Sequence, residues 1–136
     1  MTLIKDIINQ NKRLAKISKV ISELSDETQI NAFLVGGCVR DLMLNPLAES
    51  IDVDIMVEGD GIDFAEMLAR KINVPKIVPF KKFATAKIPF KEYEIEVASA
   101  RLEKYDESSR SPSEVVLSNI EDDLLRRDFT INAMAL

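Results

Sequence analysis

Histidine is absent from all 136 residues, cysteine occurs once, and no apolar run is longer than four residues. Without histidine, Ser-His-Asp and Cys-His nucleophilic machinery, His-ligated zinc and a histidine general base are excluded within the chain. Chemistry here has to run on carboxylates, Lys, Arg, hydroxyls and backbone. The lone Cys38 has no internal disulfide partner, which points to a cytoplasmic setting. The four-residue runs, Ala32 to Val35 and Ala133 to Leu136, fall far short of the roughly 18 residues a bilayer requires, so no membrane partner is expected. The N-terminus MTLIKDIINQNK also lacks the long apolar centre and small-residue cleavage site of a secretory signal. Excess positive charge is missing too. Eighteen Lys and Arg against 23 Asp and Glu leave a net −5, which argues against gripping nucleic acid by bulk electrostatics.

The length and a hydrophobic content of 46% suit one globular domain. Leu3, Ile4, Ile7, Ile8, Leu14, Ile17, Val20, Ile21 and Leu24 recur at three-to-four spacing, predicting one or two amphipathic helices whose stripe is core or interface. Ala32 to Val35, closed by Gly36-Gly37, reads as a buried strand turning sharply into a short helix over Val39 to Leu44, ended by Asn45-Pro46. From Ile51 to Val57 the residues alternate, with Ile51, Val53, Ile55 and Val57 on one face and Asp52, Asp54 and Met56 on the other. Phe64, Ala65, Leu68 and Ile72 mark another helix. Lys76 to Val78, Ala84 to Pro89 and Tyr93 to Val97 read as further strands, the last with Glu94 and Glu96 facing outward. The polar, serine-rich stretch from Glu103 to Ser118 is expected to be a mobile surface loop. Ser118-Asn119-Ile120-Glu121 then matches a capping box opening a helix to about Arg127.

Four groups of residues carry candidate chemistry. Asp52 and Asp54 lie two apart on a strand, so their carboxylates point the same way and can converge on a divalent cation that relieves their repulsion. A solvated strand face gives the same pattern. Gly36-Gly37 with Arg40 at a strand-to-helix turn suits a phosphate, because glycine lets backbone amides approach and a helix start favours an anion; a plain tight turn is the alternative. Glu96 supplies a third oxygen ligand if its strand neighbours that of Asp52. Arg126 and Arg127 suit a triphosphate, and Asp128 and Asn132 a ribose hydroxyl, although cations at a helix end are common for electrostatic reasons alone.

Taken together the motifs are more specific. LVGGCVRD (Leu34 to Asp41), IDVDIMVEGD (Ile51 to Asp60), IEVASARLEKY (Ile95 to Tyr105) and RRDFTINAMA (Arg126 to Ala135) follow the order found in tRNA nucleotidyltransferases and bacterial poly(A) polymerases. Over about Phe33 to Leu136 the chain resembles the catalytic head domain of that family, in its bacterial-type (class II) branch of the polymerase-β-like nucleotidyltransferase superfamily. The resemblance implies an α/β (mixed α+β) fold, a small mixed sheet flanked by helices. Here that would be a head over residues 29–136 preceded by an N-terminal helical segment over 1–28. It implies two Mg²⁺ ions, or Mn²⁺, on Asp52 and Asp54, with Glu96 as the third catalytic acid. It assigns Gly36, Gly37, Arg40, Arg126 and Arg127 to triphosphate and Asp128 and Asn132 to ribose.

The implied reaction moves a nucleotide from ATP or CTP to the 3′-hydroxyl of tRNA or another RNA, releasing pyrophosphate. Ile51 stands where many relatives carry Lys. The neck that selects the base, and the body and tail that hold RNA, are expected outside this chain, whose bare apolar end suggests a fragment. Two rival readings stand beside this one: a module that binds Mg-NTP without transfer, and a protein-interaction module using the helical stripe before Gln29. These residues specify neither the oligomeric state nor the choice among CCA, A-only, CC-only and poly(A) addition.

Overall fold

The computed structural model describes residues 2–48, 52–91, 93–105, 112–127 and 130–136. The N-terminal stripe forms two helices, α1 (Thr2–Gln10) and α2 (Lys12–Thr28). Asn11 separates them. Its side-chain oxygen accepts the Leu14 N–H at 3.1 Å, capping α2, while its amide donates to the Ala48 carbonyl. Leu14, Ile17, Ile21 and Leu24 of α2 are buried in the main core, so this part of the stripe is packing surface and not an exposed contact face.

The remaining elements are β1 (Ala32–Leu34), α3 (Gly37–Leu44), β2 (Val53–Val57), α4 (Gly61–Lys71), β3 (Val78–Phe80), β4 (Thr85–Pro89), β5 (Glu94–Ser99), β6 (Arg101–Tyr105), β7 (Pro112–Leu117) and α5 (Ile120–Leu125). Five strands make one mixed sheet in the order β1-β2-β5-β4-β3, with β2 and β5 parallel and the other neighbours antiparallel. The expected small mixed sheet flanked by helices is therefore present. Strand alternation sends Val53, Ile55, Val57, Ile95, Val97, Ala86 and Ile88 to one face, where they pack with Phe64 and Leu68 of α4 and the buried residues of α2.

Helix α4 docks unusually close to the sheet. Asp60 caps it by accepting the N–H groups of Ile62 and Asp63. Gly61 donates its N–H to Ser99 Oγ at 2.8 Å, and a Cβ at that position would lie 2.7 Å from the Ser99 nitrogen. Only glycine fits there. At the opposite edge the apolar end of the chain lies beside β1: Leu34 and Leu136 exchange both backbone hydrogen bonds, at 2.9 and 2.8 Å.

Three expectations are corrected. Met56, expected on the outward face with the aspartates, is buried in a second small cluster with Val35 and Ala100, because Phe33, Ile120 and Ala135 cover that end of the sheet's other face. Glu103 to Ser118 is not wholly loop: β6 and β7 pair antiparallel with Leu102 opposite Val116, and 106–111 lie outside the described residues. The β-branched residues Val115 and Val116 favour an extended strand, which outweighs the polar composition around them. Helix α5 is capped by Asn119, whose side chain accepts the Asp122 N–H, one residue later than the predicted capping box; Ser118 instead donates to the Asp122 carboxylate.

Candidate active site

The outward face of the central strands carries the acidic residues. The parallel register sets Asp54 on β2 directly opposite Glu96 on β5, and Lys87 on β4 is the next residue in the same row. Asp54 and Glu96 both line a cavity of about 240 Å³. Asp52 is exposed immediately before β2 and is not part of the cavity wall. Its charge still reaches Asp54, whose carboxyl is pushed up from the ordinary 3.8 to about 6 by burial first, then by Glu96 and Asp52, against a smaller lowering by Arg127. Lys87 Nζ bonds Glu94 at 2.6 Å and stands 3.8 Å from Glu96.

The opposite wall is cationic. Arg126 and Arg127 line it, both anchored by Asp123, which is fully buried at 0% exposure. Arg126 Nε and Nη2 lie 3.1 and 3.0 Å from one Asp123 oxygen, and Arg127 Nε and Nη2 lie 3.3 and 3.1 Å from the other. Asp123 also accepts the Arg101 N–H at 3.3 Å, so one carboxylate ties α5 to the start of β6 and fixes both guanidiniums.

Gly36 and Gly37 form the floor between these walls. Gly36 has φ +65 and ψ −133, a conformation open to glycine, and a Cβ there would meet Arg127 Nη1 at 3.1 Å. Arg40 is directed elsewhere: its guanidinium donates to Asn132 Oδ1 and to Asp41, both at 2.8 Å, and it does not line the cavity. Asn132 lines the cavity and receives Arg127 Nη1 on its backbone carbonyl at 3.4 Å. Asp128, expected at a ribose, and Ile51 lie outside the described residues.

The structure thus brings together Gly36, Gly37, Asp54, Glu96, Arg126, Arg127 and Asn132, with Asp52 and Arg40 at the margins. Sequence reading missed Asp123, Lys87, and the cavity residues Thr85 and Arg101. An Asp three and four residues before two arginines on a helix was the available signal for Asp123. Lys87 and Thr85 had none, since only strand pairing brings them alongside Glu96 and Ala98.

Among the described residues no three His, Cys, Asp or Glu side chains converge closely enough to form a metal cage. The carboxylates present nonetheless suit Mg²⁺, which is usually held by one or two carboxylates together with substrate phosphates and water. Burial is the main reason the Asp54 carboxyl is raised, and the further push from Glu96 and Asp52 is the part that a bound cation would relieve.

Residues 32–136 match the family model described as the poly(A) polymerase head domain. The chain belongs to that family. This head domain is 43% identical over 117 residues to an A-adding tRNA nucleotidyltransferase of Geobacter sulfurreducens, covering 85% of the chain and 13% of the relative. It is also 43% identical over 107 residues to an A-adding tRNA nucleotidyltransferase of Aquifex aeolicus, covering 79% of the chain and 12% of the relative. Among solved structures, a tRNA nucleotidyltransferase complexed with a primer tRNA and an incoming ATP analogue superposes with a TM-score of 0.68 at 37% identity, over 85% of this chain and 30% of that one. The head domain therefore spans about an eighth of the length of these two curated relatives. No helix among the described residues is long and apolar enough to cross a membrane.

Proposed function

We propose that the head domain is the nucleotide-activating part of an RNA nucleotidyltransferase, joining the nucleotide of ATP or CTP to the 3′-hydroxyl of tRNA and releasing pyrophosphate. The observation that carries this reading is the division of one cavity into a carboxylate wall, Asp54 and Glu96, and a guanidinium wall, Arg126 and Arg127, over a glycine floor. The arginines neutralise the β- and γ-phosphates, which carry the negative charge that grows as pyrophosphate leaves. Asp123 holds them in place. Gly36 keeps the floor low enough for phosphate to approach backbone, and Asn132 offers a polar contact to the sugar. Asp54 and Glu96, with Asp52 beside them, would hold Mg²⁺ or Mn²⁺. Such ions, when bound, activate the attacking hydroxyl and stabilise the leaving oxygen.

The attack forms a bond between the RNA 3′-oxygen and the α-phosphorus and breaks the α–β bridge. Every assigned contact reaches triphosphate or ribose, so these residues do not distinguish adenine from cytosine. The names of the two 43%-identical relatives favour adenosine addition. A free, buried Cys38 fits a cytoplasmic enzyme. Incubating the chain with Mg²⁺, ATP or CTP and an end-labelled tRNA lacking its terminal adenosine tests the reading. One-nucleotide extension with ATP, lost in Asp54→Asn, is expected. Normal MgATP binding without extension would reduce the chain to a nucleotide-binding module, and absence of both would overturn the proposal.

A further inference from the structure

A second groove, of about 320 Å³, lies on the helical side of the sheet, where α2, the end of α4 and the turn between β4 and β5 meet. Lys12, Arg13, Lys16 and Lys71 line it together with the rings of Phe90 and Tyr93, and no Asp or Glu is among the described residues of its wall. In a chain of net charge −5 this is a local reversal of sign. Lys71 is paired with Glu27 at 2.8 Å, but Lys12 and Lys16 have no acidic partner among the described residues. Both are exposed, one helical turn apart on the same face of α2, and exposed Lys19 extends the row to about 10 Å of helix. That length exceeds a single phosphate. Beside the row, Phe90 and Tyr93 sit with centroids 5.2 Å apart at 58°, presenting aromatic surface next to the cations.

We infer that this groove binds the backbone of single-stranded RNA, with Lys12 and Lys16 on successive phosphates and an unstacked base against the Phe90 and Tyr93 rings. A row of cations flanked by aromatic surface is the chemistry that a strand requires and a lone nucleotide does not exhaust. Its location suits a strand whose end is the substrate. Tyr93 lies three residues before Glu96 on the line of β5, about 10 Å along the strand, so RNA leaving the groove around the sheet's end reaches the carboxylates within a nucleotide or two. The identity of the partner rests on the RNA-directed reading above; the groove itself does not.

Fluorescence anisotropy of a short labelled oligoadenylate, titrated with the full chain across a salt series, provides the test. Lys12→Gln/Lys16→Gln is expected to weaken binding roughly tenfold at about 50 mM salt and to reduce the log–log salt slope by about 1.4, the loss of two phosphate contacts. Tyr93→Leu, which keeps apolar packing, is expected to cost about fivefold or more. Arg70→Gln/Lys76→Gln, on another face, serves as the control and should bind like the parent. Failure of the parent to bind, an equal loss in the control, no loss in the Lys variant, or displacement by free AMP as effective as by RNA would each overturn the inference. Calorimetry with MgATP on the same variants reads the carboxylate site separately: binding unchanged in Lys12→Gln/Lys16→Gln is expected, and its absence in every variant would count against the transfer reading alone.

Discussion

Replacing Asp123 by Asn is expected to lower stability by about 2–4 kcal/mol and to weaken MgATP binding. At about 4 Å between charge centres and an effective dielectric constant near 20, each Asp123–Arg pair has a gross attraction of about 4 kcal/mol. Two such pairs do not add to a net 8, because a carboxylate with 0% exposure has surrendered its hydration. The arginine side chains keep 25% and 21% of their surface in water and recover part of their solvation once the partner is gone. Breaking a buried pair by removing one member costs roughly 3–5 kcal/mol, and Asn retains an oxygen for the Arg101 N–H, which moves the expectation toward the lower end. A chain of this size should then melt roughly 6–20 °C lower. Circular dichroism melts at neutral pH, paired with MgATP calorimetry, read both effects. Adding Arg126→Gln to the Asn variant should recover part of the loss, since it removes one of the two cations that position 123 no longer neutralises. A melting temperature within about 2 °C of the parent would refute the argument that this carboxylate holds the arginine wall.

Asp54 gives a pH-dependent expectation. Its carboxyl is pushed up to about 6 in the fold, so in EDTA the contribution of Asp54 to stability should fall as pH rises from about 4 to 6, with its full cost present above 6. Asp54→Asn should accordingly be more stable than the parent at pH 8 and equal to it near pH 4, while losing the thermal shift with Mg²⁺; a margin independent of pH would contradict this. Gly61→Ala places a Cβ 2.7 Å from the Ser99 nitrogen, and urea unfolding should show a loss of about 1–3 kcal/mol. Ala84 occupies the left-handed region at φ 50, which costs an alanine about 1–2 kcal/mol. Ala84→Gly should therefore stabilise the chain by about 0.5–1 kcal/mol after the greater freedom of glycine in the unfolded state is subtracted, a gain that thermal melting would reveal as a higher midpoint.

Local physics was readable from the residues alone. Three-to-four spacing placed α1 and α2, Gly36-Gly37 placed the turn into α3, and alternation placed Val53, Ile55 and Val57 inside with Asp54 outside, because helical and extended periodicity act over a few neighbours. The motif order named the family for the same reason: it is written along the chain. What the periodicities could not contain was pairing across distance. The parallel register that sets Asp54 against Glu96 joins strands separated by α4, β3 and β4. Met56 shares the parity of Asp54 yet is buried, because Ile120 and Ala135 arrive from far along the chain to cover it. Arg40 was expected at phosphate and instead reaches Asn132, 92 residues away. Asp123 became the anchor of the site only when α5 folded back onto β6 and closed it from water. Burial and register are sums over the whole chain, and tertiary structure alone decides them.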